Sequence, residues 1–205
     1  MTDRTLVIAC GHELSLALLE GNTVLGQLDM AMQRGHAEAI VPAIARLLAP
    51  FGGRQADCAR VVVETGPGSF TGLRIGLAAA SALALAWKAA LVGVRSTQLV
   101  AADMRSRGEE RELLVLLAAP RGQVWLEKFA AASLCSTLPA VALAPADARQ
   151  LALTVPLLAG SAITPLGLAG IQVQPRAAAV AAMPAAAFGR AEPHYVRISD
   201  GSTRC

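Results

Sequence analysis

The spacing of apolar residues changes period several times along the chain, and each change marks an element. TLVIAC (5–10) is a short apolar run that reads as a strand. LSLALL and TVLGQL then flank Glu20-Gly21-Asn22, a glycine-containing hairpin turn. From Gly35 the period becomes helical: Ile40, Ile44, Leu47 and Leu48 recur on one face, and Gly52-Gly53 closes the run. Pro42 falls in the first two turns, where a missing N–H matters least. RVVVET (60–65) is a continuous apolar run of the kind buried on both faces of a sheet. A second helix pattern covers about 69–88, and LVGV (91–94) is a further short strand.

Three strands, a helix, a strand, a helix and a strand give an antiparallel start extended by parallel strands with right-handed helical crossovers. That is the order of a ribonuclease-H-like α/β lobe. The second half echoes it more weakly. A helix pattern spans 97–105, and LLVLLAAP and QVWLEKF form a hairpin around Arg121-Gly122. PADARQLAL reads as a short helix, VPLLAG and IQVQ as short strands, and AAAVAAMPAAAF as a helix interrupted by Pro184. The expectation is a duplicated fold, with an N-terminal lobe over 1–95, a smaller C-terminal lobe over 96–205, and a last segment that returns to the first lobe.

Composition narrows the function. Hydrophobic residues make up 54% of the 205, but aromatics only 3%, so the core is built from Leu, Val, Ile and Ala. Net charge is +3 and the 18 basic residues are scattered. The one dense charge run, RSRGEERE (105–112), mixes both signs, so autonomous nucleic-acid binding is poorly supported. Cys10, Cys58, Cys135 and Cys205 form no Cys-x-x-Cys pair, which suits a reducing cytosol. Residues 75–94 are apolar except Ser81 and Lys88; a glycine loop before them and a strand at their end favour a buried helix over a membrane span.

The loop GPGSFTG (66–72) between strand and helix raises the question of phosphate binding. A Walker loop needs Lys and then Ser or Thr after its last Gly, where this chain has Leu73-Arg74. Gly66, Gly68 and Gly72 stand at positions 1, 3 and 7 rather than the 1, 3 and 6 of a dinucleotide loop. Ser69 lacks the flanking glycines of a hydrolase elbow. What remains is a turn: Gly66 and Gly68 permit unusual backbone, Pro67 stiffens it, and Ser69 caps the helix that follows. Free N–H groups at that helix start leave an anion or partner contact open. The helix itself shows two apolar stripes, Leu73, Leu77, Ala80 and Ala84 on one and Ile75, Ala79, Ala82 and Ala86 on another. A helix apolar all round is covered on both sides, by the same chain or by a partner.

Candidate catalytic groups are few. The histidines are His12, His36 and His194, and His36 has Ile40 rather than a second His at the next helical position, so metal binding is disfavoured. Strand one closes in Ala9-Cys10-Gly11 and its counterpart in Ala118-Ala119-Pro120, with no carboxylate for magnesium. Glu64 is the lone acid at a strand end.

Taken together, GPGSFTGLRIGLAAASALALA and LVGVRSTQLVAA closely resemble the signature of the bacterial TsaB (YeaZ) family of tRNA threonylcarbamoyladenosine biosynthesis proteins. RGHAEAIVPAI, the Arg121-Gly122-Gln123-Val124 turn, LLAGSA and PHYVRISD are similar to further family segments in the same order. The resemblance implies an actin-like, sugar-kinase/Hsp70-type (ASKHA) fold of two ribonuclease-H-like lobes. It implies a cytoplasmic, non-catalytic relative of TsaD, the transferase acting on adenosine 37 of tRNA, and the label "glycoprotease-like". Expected partners are TsaD, the ATPase TsaE and, in isolation, a second copy; tRNA is reached through the complex. ATP or ADP and a divalent metal are expected on the partner subunit, with none bound by this chain alone.

The surface implied for the partner lies on the first lobe's helices, with His36, Ile40, Ile44, Leu73, Leu77, Ala80 and Ala84 as contacts. Gly66, Pro67, Gly68, Ser69, Phe70, Thr71, Gly72 and Arg74 form the loop that shapes the helix start or touches an anion or partner. The chain departs from the family in lacking Asp at the end of strand one (Ala9 or Cys10) and before the Arg-Gly turn (Ala118). The rival readings are an active kinase or ATPase of the same fold and a peptidase using Ser69.

Overall fold

The computed structural model describes residues 3–32, 34–52 and 58–196; Gly53, Cys205 and the end of PHYVRISD lie outside them. The first sheet has the order β3-β2-β1-β4-β5. Its strands β1 (Arg4–Ala9), β2 (Leu14–Glu20) and β3 (Thr23–Met30) are antiparallel. β4 (Cys58–Gly66) and β5 (Ala90–Arg95) add parallel to β1, each after a helix: α1 (His36–Leu48) and α2 (Phe70–Trp87). Successive side chains of a strand point to opposite faces, so β1 sends Leu6 and Ile8 towards α1 and α2, and Val7 and Ala9 to the other face. Both faces are covered, which is why β1 and β4 read as unbroken apolar runs.

The second sheet repeats the topology, with the order β10-β9-β6-β7-β8. β6 (Leu113–Ala118), β7 (Val124–Phe129) and β8 (Ser136–Leu143) form the meander, and β9 (Leu157–Gly160) and β10 (Ile171–Gln172) the parallel additions. Here α4 (Pro145–Ala152) stands where α1 does, and α5 (Ile163–Leu166), a single turn, where α2 does. These are two ribonuclease-H-like lobes of the actin-like, sugar-kinase/Hsp70 fold. β8 is not apparent in the sequence pattern because it is an edge strand carrying Pro139, which an edge tolerates.

The helix buried on every side is α3 (Ser96–Ser106), not α2. Leu99 and Ala102 pack on the first sheet, while Val100, Ala101 and Met104 pack with Val115 and Phe129 of the second. Residues 177–188 return to the first lobe and lie against its sheet and α3. They form two 3₁₀ stretches, Ala177–Ala182 and Ala185–Ala187, rather than the helix expected across Pro184. Arg176 is tied to Glu13 and Asp29, and the Ala177 N–H donates to Ser15 Oγ. With Pro184 closing the other end, too few residues remain for a cooperative α-helix.

An ion pair between half-buried Arg95 and buried Glu127 joins the lobes. Glu127 on β7 accepts from Arg95 Nη2 at 2.7 Å and Nε at 3.2 Å, and from Thr97 Oγ1. Arg95→Met strands that carboxylate in the interior, and loss of one partner of a buried pair costs about 3–5 kcal/mol. Urea unfolding monitored by circular dichroism should show a loss in that range; a change within experimental error of zero contradicts the role.

Candidate functional site

β4 carries its apolar run straight into the glycine loop. Gly66 has φ +113°, a left-handed conformation that favours glycine, and the Gly66–Pro67 peptide is cis. The Ser69 N–H donates to the Gly11 carbonyl at 2.6 Å, and Ser69 Oγ accepts from the Gly72 N–H at 3.3 Å, capping α2. Gly72 lies so close to the Cys10 carbonyl that a Cβ there would collide with it. The loop therefore fixes where α2 starts by pressing it on the turn after β1.

The anion-like feature of this region belongs to the protein itself. Glu64, almost fully buried, accepts from the backbone N–H groups of Cys10 at 2.7 Å and Gly11 at 2.6 Å through Oε2. Two successive N–H groups aimed at one oxygen make an anion nest, and the chain's own carboxylate fills it. The isolated acid of the sequence thus has a structural partner. Beside it, burial and then the Glu64 charge push the Cys10 thiol up to about 12.

Between the lobes runs a cleft of about 730 Å³, bordered by His12, Glu13, Ser69, Trp125, Ser161 and Gln174. Ala118, Ala119 and Pro120 close it from the second lobe. Glu13 is the acid in the cleft that sequence reading missed, and it is engaged at 3.0 Å with Arg176. His12 donates from Nε2 to the Pro67 carbonyl at 3.0 Å and meets the Trp125 ring edge-on at 6.0 Å. Among the described residues no three His, Cys, Asp or Glu side chains gather to hold a metal. The Gly11 N–H at the edge of this cleft is already taken by Glu64. A second cavity, of about 930 Å³, lies beside the returning segment. Three of its polar side chains are committed: Arg95 to Glu127, Gln98 to the Ala187 carbonyl, Arg105 to the Ser133 and Ala130 carbonyls.

The helix surface is where expectation and structure part. His36, Ile40, Ile44, Leu73, Leu77, Ala80 and Ala84, expected as partner contacts, are all buried within their own lobe. The physical reason is the width of the sheet face beneath them. Leu6, Ile8, Leu16, Leu18, Val61 and Val63 project into it, so the bulkier stripe of each helix turns inward. What faces solvent is the other side: Phe70 (53% exposed), Arg74, Ala78, Ala82 and Leu85 (82%) on α2, and Ala37, Val41 (66%) and Ala45 on α1. Thr71 is exposed with them, while Gly66 and Pro67 are buried. α2 is the one described helix long and apolar enough to cross a membrane, and its inner face is packed on the sheet. Ala82 belonged to the second stripe of the sequence pattern, and Val41 left a signal too, since Ala37 and Ala45 stand four residues to either side of it; Phe70 and Leu85, four residues from Arg74 and Ser81, left none.

The sequence profile described as "TsaD: tRNA N6-adenosine threonylcarbamoyltransferase" matches residues 29–166. The chain is 32% identical over 114 residues to the tRNA threonylcarbamoyladenosine biosynthesis protein TsaB of Bacillus subtilis, covering 56% of this chain and 49% of that protein. Against TsaB of Escherichia coli it is 31% identical over 114 residues, covering 55% and 49%. The chain thus spans about half the length of these two curated relatives. An uncharacterized protein of Mycobacterium tuberculosis is 31% identical over 156 residues, 71% of this chain and 72% of its own. Among solved structures, YeaZ from Pseudomonas aeruginosa superposes with TM-score 0.76 at 21% identity, over 95% of this chain and all of that one. The ethanolamine utilization protein EutJ from Carboxydothermus hydrogenoformans shares the fold with TM-score 0.52 at 10% identity, over 90% and 91%.

The Cys10 thiol gives a test of the filled nest. Its ionisation is raised from 9.0 to about 12 in the folded chain, so the unfolded chain loses that proton first, and stability falls as pH rises through that window. Below pH 9, iodoacetamide and mass spectrometry should find exposed Cys135 alkylated and Cys10 intact. Alkylation of both at equal rates contradicts the buried, acid-flanked setting.

Proposed function

The chain belongs to the TsaD-related family, in its TsaB (YeaZ) branch of tRNA threonylcarbamoyladenosine biosynthesis proteins, and on that premise we propose that it is a non-catalytic, cytosolic scaffold subunit that holds and activates TsaD. The observation that carries the reading is the outer face of α1 and α2. Five large apolar or aromatic side chains are exposed among the described residues, and Val41, Phe70, Leu85 and Tyr195 lie on or against this face; only Leu153 is elsewhere. Apolar side chains concentrated on one surface mark an interaction site rather than a solvated one. A stable complex there buries about 1,200–2,000 Å² in total.

Nucleotide and divalent-metal chemistry belongs to TsaD in this reading. Support comes from Glu64 in the strand-one nest, Glu13 engaged by Arg176, and strand ends at Ala9 and Ala118 that offer no carboxylate. TsaE joins the pair, tRNA is bound by the assembled complex, and in isolation a second copy covers the same helix face. A peptidase reading gains nothing from Ser69, whose hydroxyl caps the Gly72 N–H.

Substitutions on the two sides of α2 separate interface from core. Leu85→Glu, on the outer side, should weaken binding to TsaD at least tenfold by calorimetry and leave the unfolding curve unchanged. Ala80→Arg, on the fully buried inner side, should destabilise the lobe by roughly 3 kcal/mol or more, because a charge there has neither room nor a partner. Leu85→Glu binding as tightly as the unaltered protein contradicts the proposal.

A further inference from the structure

At the N-terminal end of the outer face three side chains form one stack. The Arg74 guanidinium carbon lies 3.8 Å from the centre of the Phe70 ring, and the Tyr195 ring lies 5.2 Å from Phe70 at 34°. Arg74 Nε donates to the Tyr195 hydroxyl at 3.2 Å. One face and one edge of the guanidinium are thereby fixed, while both terminal nitrogens make no hydrogen bond within the described residues. A planar fork held this way has already lost most of its side-chain freedom. It matches a carboxylate, which accepts two parallel N–H bonds. Aromatic and arginine anchors also dominate the energetics of protein interfaces.

The charges around it say which partner fits. The exposed ionisable residues of α1 and α2 and their caps are Glu38, Arg46, Arg74 and Lys88, three bases against one acid, and none has an ion-pair partner among the described residues. A second copy would bring three bases towards three. Building on the scaffold reading above, we infer that Arg74, preorganised by Phe70 and Tyr195, grips an Asp or Glu of TsaD and selects that partner over a second copy of this chain. The occupant is a protein carboxylate rather than an RNA phosphate, because the stack continues along α2 into Ala78, Ala82 and Leu85, an apolar strip with no further bases until Lys88.

The test measures TsaD binding and self-association side by side. Arg74→Gln should weaken TsaD binding about 10- to 100-fold and flatten its dependence on salt, while leaving self-association unchanged or tighter. Arg74→Lys keeps the charge but not the fork, and should bind TsaD less tightly than Arg with the salt dependence retained. Arg74→Gln binding TsaD as the unaltered protein does, or weakening self-association equally, overturns the inference while the scaffold reading stands. Arg74→Gln that spares TsaD binding but abolishes binding of a tRNA transcript reassigns the fork to phosphate and also overturns it. An unaltered chain that binds no TsaD removes both.

Discussion

The contact on which the rest of the structure depends is the one between the start of α2 and the turn after β1. One bond makes it directly, Ser69 N–H to the Gly11 carbonyl, and two more hold the turn in place from β4, the Cys10 and Gly11 N–H groups donating to the Glu64 carboxylate. Gly72 makes room for it, because any side chain there would strike the Cys10 carbonyl. Buried backbone donors must be satisfied, and here an acid from the neighbouring strand satisfies two at once. The contact sets the angle of an 18-residue helix across the sheet, and so decides which side of that helix meets solvent. It also places the Glu64 carboxylate on two N–H groups that point the same way, so the chain's own acid takes up that pair of donors.

The duplicated topology shows how far the lobes have diverged. The helix after the third meander strand and the crossover beyond it recur in both, but α2 runs for 18 residues where α5 makes one turn. The long copy supplies an outer face, and the short one cannot. α3 fills the space between the sheets, the returning 177–188 segment covers the first sheet beside it, and the Arg95–Glu127 pair fastens the lobes. Such a joint holds the outer face of the first lobe in a fixed orientation relative to the second lobe.

Most strands and the long helices were legible because their periods are clear and their ends carry turn residues, as at Gly21, Gly52, Ser69 and Lys88. β8 was not, since an edge strand with Pro139 and little burial leaves a weak pattern. The 177–188 stretch was misread because alanine favours helix everywhere and says nothing of how much length the anchors at Arg176 and Pro184 leave. At the site, periodicity found the Leu73, Leu77, Ala80 and Ala84 stripe but placed it towards a partner, and of its second stripe Ile75 and Ala79 are half-buried against the core while Ala82 and Ala86 face solvent. The stripe with Leu73 and Leu77 buries more area against a wide apolar sheet face, at roughly 25 cal/mol per Å², so it forms the core, and the alanines with Phe70 and Leu85 are left outside. Tyr195 was out of reach, because its place beside Phe70 depends on a chain return 121 residues after Arg74.

Hydroxyl-radical footprinting of the chain with and without TsaD tests the central claim most directly, because it reads side-chain exposure residue by residue without altering the protein. Protection of Val41, Phe70 and Leu85, with His12 and Trp125 in the cleft unchanged, is the predicted result. Protection confined to the cleft, with the α1 and α2 side chains as reactive in the mixture as alone, would contradict it.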